Sequence, residues 1–401
     1  MSEKWTSRIA VCCIIGIVGI LIAAIVPDTG HGTDFPVIGT GEGTSESIPQ
    51  DDGIKNGSAE DAQGGAGFAA RNLYYYNALS DEEQVVYQQM YDSILAREDV
   101  ALETLDESWV DKVFQCVLND HPDIFFCSAY RIEKQMRNGQ TVRITFSPQY
   151  HMTEEEVQEN WEKIRAYVEQ CRSGISDMAG EYEKVKYVYE YIIQNTKYTP
   201  NSDNNQNICS VCIGGESVCQ GYAKTAQYIL SGMGIEITLA YGNVGGELHS
   251  WNLVRVDDEY YYMDPTWGDA GYVRPAGSSG GIIAETVNYE YFLITSEQIG
   301  KTHEIDNVVP LPACVATRNN YYIREGLYFA VYDEARLDSM FKEAQDFEKD
   351  CVTFMCADKT LYGEMKNKLI TEQGVFRYIN SSKSVSYSYN DGLYTLIFWI
   401  E

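Results

Sequence analysis

Three short runs of this 401-residue chain carry groups that could together make and break a covalent bond: Ser217-Val218-Cys219-Gln220-Gly221-Tyr222-Ala223, His249-Ser250-Trp251-Asn252 and Asp264-Pro265-Thr266-Trp267. In chain order they supply a thiol, an imidazole and a carboxylate. A thiol attacks a carbonyl as its thiolate, an imidazole takes the proton and later returns it, and a carboxylate orients the imidazole. Each residue alone has an ordinary explanation: a cysteine opening a core helix, a packed core histidine, an Asp-Pro turn. The chain has only five histidines, so one lying between the Cys and Asp runs makes the ordered set informative.

The elements that must position these groups can be read from periodicity. After an Asn- and Gly-rich loop from Thr199 to about Gly215, the residues Tyr222, Ala223, Ala226, Ile229 and Leu230 recur at helical spacing. This predicts a helix that starts near Cys219 and ends by Gly232 or Gly234. The thiol then stands among unpaired backbone N–H groups, whose partial positive charge favours a thiolate by about 0.3–1 kcal/mol at an exposed site. The same N–H groups can receive the oxyanion of a tetrahedral intermediate. Gly221 is expected to leave room for substrate backbone, and Gln220 beside it is a further oxyanion or cleft candidate. Ile235–Tyr241, His249–Val256 and Tyr260–Asp264 read as strands, with Asp257-Asp258 as a two-residue hairpin turn. In that register His249 and Asp264 are diagonal neighbours on one face, whereas a one-residue slip would separate them.

Around this region the chain divides into recognisably different stretches. Ile9 to Val26 is an uncharged, apolar run preceded by Lys4 and Arg8. Residues 1–26 are expected to be a signal anchor, or a signal peptide, with the N-terminus inside and the bulk of the chain outside the membrane or secreted. Residues 27–70 contain ten glycines with many Ser, Thr, Asp and Glu, and read as a flexible acidic linker. Residues 71–175 suit a small α+β domain. Its expected parts are a helix over Asp81–Ala96 capped by Ser80, strands at Ile124–Phe126 and Val142–Phe146 with an Asn138-Gly139 turn, and a helix opened by a Thr153/Glu156 capping box. The 81–96 helix is expected to bury Val85, Val86, Met90, Ile94 and Leu95. Residues 176–305 hold the three runs and begin with a helix over Met178–Asn195 burying Val185, Val188, Tyr189, Ile192 and Ile193. Residues 306–401 suit a further α+β unit, with strands at Tyr321–Tyr332, Val352–Met355 and Leu393–Ile400 and a helix over Glu334–Phe347.

Composition excludes some functions and leaves others open. A net charge of −29 argues against a nucleic-acid partner and suits solubility, or a preference for cationic substrates. Eleven cysteines include Cys12 and Cys13 in the apolar run. The other nine match one free thiol plus four bridges, or nine reduced thiols. Cys209-Ser210-Val211-Cys212 has metal or redox spacing but no second pair and no nearby histidine, so a bridge or two loop thiols is preferred to zinc. Gly277-Ser278-Ser279-Gly280-Gly281 lacks the Lys-Ser/Thr of a phosphate loop and reads as a surface loop. No cofactor or metal site is expected.

The VCQGYA, HSWN and DPTW runs, with the helix Glu181–Tyr191 ahead of them, closely resemble the transglutaminase-like domain family, in particular its bacterial extracytoplasmic members. The resemblance covers residues 176–305. It implies an α+β, papain-like core with Cys219 as nucleophile, His249 as base and acid, and Asp264 as orienter. It also implies a glutamine ahead of the nucleophile in the oxyanion hole, for which Gln206 is the candidate, and a cleft walled by Trp251 and Trp267. Nothing in the chain resembles the calcium site of animal relatives. The expectation is therefore an extracytoplasmic thiol enzyme acting on amide bonds of protein or peptide substrates, by hydrolysis, deamidation or crosslinking. The alternatives are a cell-surface binding or adhesion module that keeps the fold without catalysis, and a redox-responsive protein using Cys209, Cys212 and Cys219.

Overall fold

A computed structural model describes residues 5–11, 73–200, 204–270, 287–349, 351–380 and 383–400. The three N-terminal helices labelled here begin where the sequence offers caps. Asp81–Ala96 (α1) and Glu154–Ser173 (α3) both open with complete capping boxes, Ser80 with Glu83 and Thr153 with Glu156. Glu107–Asp120 (α2) is capped by Asp106. In α1 the buried stripe is Glu83, Val86, Tyr87, Met90, Ser93 and Ile94. Val85 and Leu95 were expected inside but face solvent, because the helical period carries them off that stripe. Asn138 and Gly139, both with φ > 0, join the antiparallel strands Cys127–Arg137 (β1) and Gln140–Tyr150 (β2). The first strand thus starts one residue after the predicted 124–126 segment.

A separate strand, Trp5–Val11, pairs antiparallel with β1, from Trp5 opposite Gln135 to Val11 opposite Ala129. The predicted membrane segment therefore differs at its start. Ile9, Ala10 and Val11 lie in a strand that takes up the hydrogen-bonding edge of β1. The rest of Ile9–Val26 lies outside the described residues, as do the 27–70 linker and the Gly277–Gly281 loop. Among the described residues no helix is long and apolar enough to cross a membrane.

The central region is built on a four-stranded sheet in the order β6-β3-β4-β5, comprising Ile237–Val244 (β3), Glu247–Val256 (β4), Glu259–Met263 (β5) and His303–Ile305 (β6). All its pairings are antiparallel. Glu181–Asn195 (α4) and Cys219–Gly232 (α5) pack against it. The predicted stripe Val185, Val188, Tyr189, Ile192 and Ile193 is buried, and so is every residue of α5 from Cys219 to Ala226. Met178, expected to begin α4, is exposed, and Gly180 caps the helix instead. No local pattern marks the three residues of β6 as a strand.

The C-terminal sheet combines Tyr328–Phe329, Val352–Cys356 (β7), Val385–Asn390 (β8) and Thr395–Ile400 (β9) with Glu334–Asp346 (α7). The predicted long strand Tyr321–Tyr332 is broken. Asn320 caps a helical turn over Tyr321–Arg324, Gly326 turns the chain at φ +70°, and only Tyr328–Phe329 is extended. The Tyr321 ring stacks on Tyr289 at 3.8 Å, a tertiary contact that local strand preference cannot register.

Candidate active site

Cys219 is the first residue of α5, with Val218 extended ahead of it and supplying no side-chain cap. The backbone N–H groups of the opening turn therefore precede the carbonyls that could accept them. Gly221 N and Tyr222 N already bond Val218 O, at 3.0 and 3.2 Å. Gln220 is buried beside the thiol. Gly221 is closely packed. A Cβ there would lie 2.0 Å from Ser217 Oγ, 2.6 Å from Ser210 Oγ and 3.0 Å from Asn205 O. Its missing side chain lets the preceding loop close on the helix.

Gln206 follows Asn205, whose carbonyl accepts a hydrogen bond from Ser217 Oγ at 3.3 Å. Its segment therefore lies beside the two residues leading into Cys219, and its amide oxygen is buried without a hydrogen-bond partner. Cys209 and Cys212 occupy a π-helical turn region over Ser210–Gly214 in the same loop. All nine described cysteines are unbridged. Burial pushes the Cys209 thiol up to about 12, and Cys212 further, so neither has thiolate character at neutral pH.

The hairpin holding the imidazole has the register read from the sequence. Asp257 and Asp258, with φ +50° and +70°, form its two-residue turn, and Asn252 faces Met263. One residue beyond β5, Asp264 caps a short helix, Pro265–Asp269 (α6), through bonds from Thr266 N (2.9 Å) and Trp267 N (3.2 Å) to its Oδ1. Its other oxygen, Oδ2, is 2.7 Å from His249 Nε2. Both side chains are buried. An ionised carboxylate only accepts, so His249 Nε2 carries the hydrogen and Nδ1 is the nitrogen left for the thiol. Nδ1 has no other hydrogen-bond partner.

Electrostatics favour a charged ring. Burial alone would drive His249 neutral, but the Asp264 carboxylate overrides it, the Cys219 thiol adds to the effect, and the ring is pushed up to about 10. Burial likewise works against the Asp264 charge, yet the His249 imidazolium and the hydrogen bonds from both neighbouring imidazoles hold it well below the usual carboxylate range.

The two tryptophans differ. Trp267 is part-exposed and its ring packs on Tyr291 at 4.5 Å, at the rim of the site. Trp251, expected to wall the cleft, is fully buried behind His249 with ring centroids 5.9 Å apart. It shares a strand face with His249 because they are two residues apart. Asn252, on the opposite face, donates to Ala223 O at 3.0 Å and so ties the nucleophile helix to the sheet. Tyr189 of α4 donates to Asn288 O at 2.6 Å, and Gly268 lets α6 sit against it, since a Cβ there would meet Tyr189 Oη at 2.2 Å.

One residue of the site was not legible in the sequence. His303, on β6, places Nε2 3.1 Å from the same Asp264 Oδ2. His249, Asp264 and His303 bring their donor atoms within 4.8 Å, as ligands of a metal would be. Hydrogen bonds from two N–H groups to one carboxylate oxygen account for that convergence. The only available clue was the scarcity of histidine.

Residues 165–265 match the sequence family described as the transglutaminase-like superfamily. No curated protein matches the chain. Among solved structures, a transglutaminase is 16% identical, with a TM-score of 0.26, covering 45% of this chain and 55% of that one. A proposed cysteine protease from Cytophaga hutchinsonii is 12% identical, with a TM-score of 0.24, covering 34% of this chain and 61% of its own. The periplasmic domain of TgpA from Pseudomonas aeruginosa is 15% identical, with a TM-score of 0.21, covering 33% and 58%. The chain thus spans 55–61% of the length of these solved relatives. Residues 165–265 form a transglutaminase-like domain.

Proposed function

We propose that the protein is a thiol acyl-transfer enzyme acting on amide bonds of protein or peptide substrates, with Cys219 as nucleophile, His249 as base and acid, and Asp264 as orienter. The carrying observation is the buried 2.7 Å bond from His249 Nε2 to Asp264, which leaves Nδ1 for a thiol at the start of a helix. In the first half-reaction the thiol proton already resides on Nδ1 of the imidazolium, and the sulfur adds to the amide carbonyl as the thiolate. The tetrahedral oxyanion meets N–H groups at the opening of α5, with Gln206 as a candidate second donor. Collapse breaks the C–N bond, the imidazolium protonates the departing amine, and a thioester remains. Water or a primary amine then gives its proton to the imidazole, attacks the thioester and expels the thiolate. Hydrolysis is the favoured outcome, because water needs no second binding site. The uncharged apolar stretch from Cys12 to Val26 supports an extracytoplasmic placement for this activity.

A peptide library incubated with the protein, with and without a primary amine, tests the reading. Mass shifts separate hydrolysis, deamidation and crosslinking, and Cys219→Ala is expected to abolish all three. Turnover retained by that variant would overturn the assignment. A second reading, a binding module without catalysis, is favoured by one observation: Cys219 and His249 are only 2% and 1% exposed. A Cys219→Ala protein that supports the cellular phenotype in full would decide for it.

A further inference from the structure

His303 is a buried titratable group that the chemistry above leaves unused. Asp264 Oδ2 accepts from His249 Nε2 at 2.7 Å and lies 3.1 Å from His303 Nε2. Because the carboxylate can only accept, the His303 nitrogen facing it also carries hydrogen. That leaves His303 Nδ1 as an acceptor, and Thr302 Oγ1 stands 2.7 Å from it. The Asp264 carboxylate thus fixes the tautomer, and the Thr302 hydroxyl is placed to donate to the remaining nitrogen. The ring is 3% exposed and lies among Trp251, Trp267 and Tyr291, at centroid distances of 4.8, 5.0 and 5.6 Å. The titratable groups facing it are Asp264 from the cap of α6, His249 from β4 and Tyr291 from the segment before Phe292. Burial holds His303 below the ordinary histidine range, and the neighbouring His249 charge works in the same direction. Of the two imidazoles on this carboxylate, His249 carries the charge and His303 stays neutral.

We propose that His303 is a positioning residue of the thiol site, a neutral imidazole backed by Thr302 whose Nε2–H pins Asp264 and shares the oxygen that holds His249. With its bond, Asp264 has four donors: two backbone N–H groups on Oδ1 and two imidazoles on Oδ2. The carboxylate is then held in place whether or not His249 is bonded to it during proton transfer. The second donor also spreads the oxygen's negative charge, so His249 is gripped less tightly than it would be alone. The catalytic consequence rests on the proposed role of Cys219, but the hydrogen-bond arrangement does not.

The test is a ¹⁵N titration of histidine rings in the full-length chain, which has five histidines, carried out in the Cys219→Ala background. That variant removes thiol coupling, so the result holds or fails independently of whether Cys219 is a nucleophile, which the turnover assay decides. His303 is expected to read as a neutral Nε2–H tautomer through neutral pH. His303→Phe should raise the His249 midpoint by about half a pH unit or more, because Asp264 loses a competing donor. His303→Gln, whose amide nitrogen can still donate, should stay near the parent. Thr302→Val, which keeps the ring and its Asp264 partner, should leave His303 as the neutral Nε2–H tautomer with a shifted Nδ1 resonance, and an Nδ1–H tautomer in that variant would overturn the proposal even if His303→Phe does not fold. A charged His303 at neutral pH, an Nδ1–H tautomer, or the same His249 midpoint in the Phe variant as in the parent would overturn the proposal.

Discussion

At the scale of single residues, the site depends on which atoms carry hydrogen. Asp264→Asn keeps the shape but points an amide N–H₂ at the two imidazoles. His249 would then have to present an unprotonated Nε2, placing its hydrogen on Nδ1, where the thiol proton must go. Turnover is expected to fall by about 10³–10⁴-fold, with the folded state intact by circular dichroism. A drop of only a few-fold would show that the tautomer is immaterial. The pair also predicts a pH window. His249 has a folded pKa near 10, above its ordinary 6.5, so the stability it contributes is complete below the ordinary value and is lost as pH rises through about 10. Asp264 is lowered, so its contribution is complete above the usual carboxylate range and is lost as pH falls through its folded value. Melting temperatures of the parent and of His249→Phe, followed against pH, should differ at neutral pH and converge above about pH 10. A gap that is constant with pH would contradict this.

At the scale of elements, the nucleophile helix is held by close approaches that few side chains permit. Within α5 the close approach is at Gly221. Gly221→Ala should destabilise the fold by about 1–3 kcal/mol, read as a lower denaturation midpoint at an unchanged slope. Because the nearest atom to the added Cβ is Ser217 Oγ, adding Ser217→Ala should recover part of the loss. An unchanged midpoint in the single variant would mean that the loop yields freely. Asn252 makes a complementary contribution, since its amide crosses from the strand of His249 to the helix of Cys219. The HSWN run thus supplies the base, the ring packed behind it and the tie to the nucleophile's helix within four consecutive residues.

At the scale of the molecule, buried polar links join the flanking regions to the central sheet. Asp120 accepts from Tyr75 N, Tyr76 N and Tyr87 Oη, and Tyr75 Oη reaches Leu239 O at 2.7 Å. Glu290, next to Tyr291 of the site, accepts from Asn390 Nδ2 at 3.0 Å and from Thr395 Oγ1 of the C-terminal sheet. Glu290→Ala would leave the buried Thr395 hydroxyl and the half-buried Asn390 amide without that acceptor, so global stability should fall by about 1–3 kcal/mol in denaturant melts. Loss of the C-terminal sheet alone, with no effect on the central unfolding transition, would show that this link is not shared. The ordered Cys, His and Asp, the helix behind Cys219 and the two-residue turn that sets the hairpin register were legible in the chain, because each follows from periodicity or turn chemistry within a few residues. So were both capping boxes. Other features became visible only once the chain had folded: His303 on the Asp264 oxygen, the burial of Trp251, the packing role of Gly221 and the break at Tyr321. Each is a contact between residues distant in sequence or between facing loops, and local preference carries no information about what tertiary packing brings alongside.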